Sequence, residues 1–98
     1  MDNDERVEII KIDVTEIRTS KELHGILKKE LDFPTFYGMN WDAFWDTITG
    51  LVELPEKLVI KGWDNIVRAL PNDAEIMKRL LDKFNKDYPI CKCTVEYK

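Results

Sequence analysis

Residues 7–31 run Val7-Glu-Ile-Ile-Lys-Ile-Asp-Val14-Thr-Glu-Ile-Arg-Thr19-Ser-Lys-Glu22-Leu-His-Gly-Ile-Leu-Lys-Lys-Glu-Leu31. The first eight positions alternate loosely and are rich in β-branched side chains, which predicts a strand over Val7–Val14. Thr19-Ser-Lys-Glu22 is a capping box, in which the threonine oxygen and the glutamate carboxylate satisfy free amides at a helix start. Leu23, Ile26, Leu27 and Leu31 then fall on one helical face, and the helix ends before Pro34.

The alternation continues downstream. Asn40 is the expected cap of a second helix, Trp41 to about Thr49, closed by Gly50 in a left-handed conformation. Glu56–Lys61 reads as a second strand and Trp63–Leu70 as a short helix stopped by Pro71. Asn72-Asp-Ala-Glu75 repeats the capping pattern ahead of Ile76, Met77, Leu80, Leu81 and Phe84, the stripe of a last helix. Cys91–Tyr97 is the third expected strand. Strands separated by helices predict an α/β fold, a three-stranded parallel sheet with helices packed against it, in one domain over residues 1–98.

Composition narrows the function. The chain has 98 residues, is 44% apolar and 35% charged, and carries a formal net charge of −4. The whole of that charge lies between Asp32 and Pro55, where Asp32, Asp42, Asp46 and Glu53 face no lysine or arginine. The rest of the chain sets 15 bases against 15 acids. The same window holds six of the ten aromatics: Phe33, Phe36, Tyr37, Trp41, Phe44 and Trp45. An acidic or balanced surface makes nucleic acid a poor partner and a basic protein a natural one. No apolar run approaches a membrane span, and the polar, acidic start is unlike a secretory leader, so the expected location is cytoplasmic.

On the second helix, Trp41, Phe44 and Ile48 share one side, the expected core face. Asp42, Asp46 and Thr49 share another, with Trp45 at the border. Carboxylates at i and i+4 repel by about 0.2–0.5 kcal/mol. The helix dipole favours Asp42 in the first turn but offers nothing to Asp46. An uncompensated acidic pair beside a tryptophan reads as a binding surface for a basic partner, and Glu53 can extend it. A merely solvated polar face is the alternative.

Catalysis is not expected. Glycoside hydrolysis needs carboxyls facing each other across a cleft, not side by side on one helix. No nucleophile–base pair, phosphate loop or metal triad appears, the four glycines form no motif, and no cofactor is implied. His24 sits at the edge of an apolar face and reads as structural. Cys91 and Cys93, two apart on the expected strand, should share one face as packed, reduced thiols.

Three stretches resemble the barstar family: His24-Gly-Ile-Leu-Lys-Lys-Glu-Leu31, Phe33-Pro-Thr-Phe-Tyr-Gly-Met-Asn-Trp-Asp-Ala-Phe-Trp-Asp46, and Thr49-Gly-Leu-Val-Glu-Leu-Pro55. That family comprises intracellular inhibitors of secreted, barnase-like ribonucleases. The resemblance implies a monomer that plugs a basic ribonuclease active site, one to one, with its acidic helix and the preceding loop. The residues that match the family's inhibitory motif are Asp42, Trp45, Asp46, Thr49 and Gly50, with Asp46 as the central phosphate mimic supported by Asp42. Together with Phe36, Asn40 and Glu53 they form the expected partner-binding set. Three positions depart from the family pattern. Phe36 replaces a tyrosine, Leu51 replaces a tryptophan, and Lys83 or Asn85 stands where the last helix can add an acid. Leu54-Pro55 matches a position that can hold a cis bond, and cis is a fair expectation there. A barstar-like adaptor for a basic protein that is not a ribonuclease is the alternative reading.

Overall fold

The computed structural model describes residues 6–98, so the acidic start lies outside it. The elements run β1 (Ile9–Asp13), α1 (Ser20–Glu30), α2 (Trp41–Gly50), β2 (Lys57–Lys61), α3 (Trp63–Ala69), α4 (Pro71–Asp87), a 3-10 turn (Pro89–Cys91) and β3 (Thr94–Tyr97). The expected α/β architecture is present. The sheet order is β1-β2-β3 and both pairings are parallel. Register sets Ile12 opposite Ile60 and Leu58 opposite Val95.

Period-two alternation gives each strand two unlike faces. Ile10, Ile12, Leu58, Ile60, Val95 and Tyr97 belong to the core side. Lys11 and Lys61 alternate with them on the other side and are exposed, as is Ile9. Helices usually cover both faces of a parallel sheet. Here the second face is left to charge, and across it Lys57 reaches Glu96 at 2.7 Å and Lys98 reaches the same carboxylate at 3.6 Å.

The helices bury the stripes that their sequences mark out. Leu23 and Leu27 of α1, Phe44 and Ile48 of α2, Ile66 of α3, and Met77, Leu81 and Phe84 of α4 form one cluster with the sheet. Removing a ring such as that of Phe44, 1% exposed, costs about 3–5 kcal/mol in cores of this kind. The loop between β1 and α1 is pinned from α3, where the Asn65 amide donates to the carbonyls of Val14 and Ile17 at 2.9 and 2.7 Å. Among the described residues no helix is long and apolar enough to cross a membrane.

Several local expectations need correction. Thr19 and Glu22 do form the capping box, but Gly50 is the last helical residue of α2 and is not left-handed; Leu51 caps the helix with φ −122°. The left-handed glycine is Gly62, φ 85°, at the turn from β2 into α3. Pro71 does not merely stop α3. It is the first residue of α4, where its missing N–H costs nothing, so Asn72 lies inside the helix and caps nothing. The final strand starts at Thr94. Cys91 is exposed in the 3-10 turn and Cys93 is buried, so the two thiols do not share a strand face. Among the described residues no peptide bond is cis, Leu54–Pro55 included.

Candidate functional site

The head of α2 is held from two directions. Asn40 accepts the Ala43 N–H on its side-chain oxygen at 2.7 Å and donates its amide to the Gly38 carbonyl at 3.1 Å. This closes the entering loop onto the helix start. Met39, just before, is left-handed at φ 58°, a conformation that a non-glycine residue adopts only when its surroundings enforce it. From below, His24 Nδ1 and the Tyr37 hydroxyl are 2.7 Å apart, and that hydroxyl lies 3.4 Å from the Asn40 carbonyl. The loop is thereby tied to the core of α1.

Trp41 locks the same corner to α4. Its Nε1–H donates to the Asp73 carboxylate at 2.7 Å, and the Ser20 hydroxyl donates to the same carboxylate at 3.3 Å. The Trp41 ring rests against His24 with centroids 4.3 Å apart. Residues of α1, α2 and α4 therefore meet at one point, and α2 starts from a fixed position.

From that start the outward face of α2 follows by helical geometry. Asp42 and Asp46 are exposed, Trp45 is half-buried, and Phe44, Thr47 and Ile48 are buried. Trp41, Asp42, Trp45 and Asp46 form one wall of an open groove of about 540 Å³; Ile76, Arg79, Leu80 and Lys83 of α4 form the other. The Lys83 ammonium stands 5.2 Å from the centre of the Trp45 ring and 2.8 Å from the Asp87 carboxylate. Among the described residues no cation comes within 4.0 Å of Asp42 or Asp46.

The remaining candidates lie elsewhere. Thr49 turns its hydroxyl back to the Trp45 carbonyl at 2.7 Å, which leaves oxygen lone pairs but spends the proton. Thr49, Gly50 and Glu53 line a second cleft of about 320 Å³, together with Leu51, Phe84, Tyr88 and Cys91. Glu53 lies 3.8 Å from the Arg6 guanidinium, which also donates to the carbonyls of Leu54, Pro55, Cys91 and Lys92. Phe36, in the loop ahead of α2, is 74% exposed, a large apolar surface for an unpartnered ring. Leu51 is 56% exposed. The eight candidates thus fall into an acidic groove wall, a neighbouring cleft rim, a protruding ring, and the Asn40 cap, whose side chain is spent on backbone.

One residue escapes sequence reasoning as a neighbour of the acids, Arg79, while the resemblance reaches Lys83 only as one of two candidates on the last helix. Arg79 and Lys83 stand at i and i+4 on the polar side of α4, which reads as an ordinary solvated face. The packing of α4 on α2 brings both to the acidic pair. The Asn85 side chain is spent elsewhere: its amide N–H donates to the Cys93 carbonyl at 2.7 Å and its oxygen accepts the Cys93 N–H at 2.8 Å. Of Lys83 and Asn85, Lys83 is the one that lines the groove. With cations on the far wall, the groove lacks the facing carboxyls of glycoside chemistry.

Comparison with known proteins bears on the family. A Bacillus subtilis (strain 168) protein named "Putative ribonuclease inhibitor YrdF" is 47% identical over 55 residues, which cover 56% of this chain and 60% of the relative. The matched part thus spans about three fifths of that relative's length. The family profile described as Barstar (barnase inhibitor) matches residues 7–95, nearly the whole described chain. With its three parallel strands, its four helices and this match, the chain belongs to the barstar family.

Proposed function

We propose that this chain is an intracellular inhibitor of a barnase-like ribonuclease, which binds one to one and blocks a basic active site with α2 and the preceding loop. The observation that carries the reading is the row of exposed Asp42, half-buried Trp45 and exposed Asp46 on a helix whose start is locked in place, in a chain of the barstar family. A ribonuclease active site concentrates cations that hold RNA phosphates, and a carboxylate on a rigid helix can occupy such a site at little ordering cost. Asp46 is the central group, Asp42 supports it, and Trp45 supplies apolar contact. Phe36, Thr49, Gly50 and Glu53 extend the contact on either side, and Asn40 serves by fixing the helix start. The chain acts by binding and not as an enzyme.

Inhibition of a purified barnase-type ribonuclease tests this. Asp46→Ala should keep the melting temperature and lose about 2–5 kcal/mol of binding, the usual result of removing one member of a desolvated charge pair. Equal inhibition by Asp46→Ala and wild type would refute the proposal. Phe36 and Leu51, exposed at positions where the resemblance expects a tyrosine and a tryptophan, favour one second reading, a barstar-like adaptor for another basic protein. A tight complex with such a protein and no inhibition of any ribonuclease would select it.

A further inference from the structure

We propose that the partner is bipolar: beside the cations that meet Asp42 and Asp46 it carries a carboxylate side chain that meets Lys83, with Arg79 alongside. This rests on the inhibitor reading above and names the second half of its recognition. The groove has two unlike walls, acids on α2 and cations on α4, so a segment that fills it touches both. Packed helix axes lie about 8–10 Å apart, which sets the scale of separation between the partner's two charge clusters.

Lys83 is prepared for such a contact. Its ammonium is held over the Trp45 ring at 5.2 Å and against Asp87 at 2.8 Å. Only one of its three donors is spent on Asp87, and the side chain remains 56% exposed. A uniformly basic surface pressed into the groove would bury like charges against Lys83 and Arg79, and such juxtaposition is how interfaces reject wrong partners. The α4 wall therefore selects among ribonucleases whose active sites all attract the α2 wall. Lys83 is a specificity-determining residue and Asp46 the anchoring one.

The test uses the full chain against the barnase-type ribonuclease encoded in the same genome, with inhibition constants measured for wild type, Lys83→Met, Lys83→Glu and Asp46→Ala. Lys83→Met keeps a flexible stem on Trp45 and removes only the charge. It should weaken binding several-fold, and Lys83→Glu at least about tenfold, with melting temperatures near wild type. Exchanging the facing carboxylate of the ribonuclease for lysine should restore affinity for Lys83→Glu. A Lys83→Met chain that binds as tightly as wild type, or more tightly, overturns the inference even where Asp46→Ala is crippled. A harmless Asp46→Ala overturns the inhibitor reading itself, so the two failures are distinct.

Discussion

His24 is 1% exposed, keeps the Tyr37 hydroxyl as its hydrogen-bond partner, and leaves Nε2 without one. Burial holds its imidazole below the ordinary histidine value of 6.5, against a smaller opposing pull from the Asp73 carboxylate. As the pH falls, the unfolded chain therefore takes up this proton before the folded one. Stability is full above about pH 6.5 and declines below it, until the folded imidazole also protonates. Urea unfolding at about pH 7.5 and about pH 5.5 should show wild type losing more stability on acidification than His24→Gln. Equal losses would mean that another group dominates this range. The sequence places His24 correctly at the margin of an apolar face, because helical periodicity is local information. Its partner comes from a loop thirteen residues on, and no pattern within α1 announces it.

Among the elements, α2 depends on its cap and α3 on its glycine. Asn40→Ala should cost about 1 kcal/mol in chemical denaturation, the usual value of an N-cap. It should also weaken ribonuclease binding, since the amide closes the loop that carries Phe36. Gly62→Ala should be harsher, at about 2 kcal/mol or more: a side chain there would be left-handed, and its Cβ would stand 2.8 Å from the Thr15 nitrogen. A melting temperature unchanged in Gly62→Ala would refute that geometry. The contrast with Gly50 shows what sequence can convey about helix ends. The Thr19–Glu22 box is legible because both partners lie within one turn. A glycine after a helix is equally compatible with ending it or extending it, and the continuation past Gly50 decides. At Pro71 the same ambiguity ran the other way, since a proline that ends one helix can begin the next.

For the whole molecule, the relevant fact is that a net charge of −4 originates in one segment whose acids the fold largely displays. Association with a basic ribonuclease should slow steeply as salt rises from about 0.1 to about 1 M, where the screening length falls from about 10 to about 3 Å, while dissociation changes less. Stopped-flow rates that stay flat would place the attraction elsewhere. The fold class was legible because strand and helix periodicities are written locally and helices between strands call for parallel pairing; the strand order was not. The acidic wall was legible for the same reason, being one helix face. The cationic wall was legible only in part: the resemblance points to Lys83 or Asn85 on the last helix, but nothing in the residues points to Arg79. Both cations lie more than thirty residues from Asp46 in sequence and become its neighbours only when α4 packs on α2.

The separation of Cys91 from Cys93 makes the chain chemically addressable. Burial, against a weaker pull from Arg6, pushes the Cys93 thiol up to about 11, so it stays protonated and enclosed. Cys91 is exposed on the rim of the cleft that Thr49 and Gly50 share. A thiol-directed fluorophore should therefore attach at one place without any engineered cysteine, a few residues' breadth from the end of α2. The molecule carries its own reporter site, next to the surface where a partner would change the dye's surroundings.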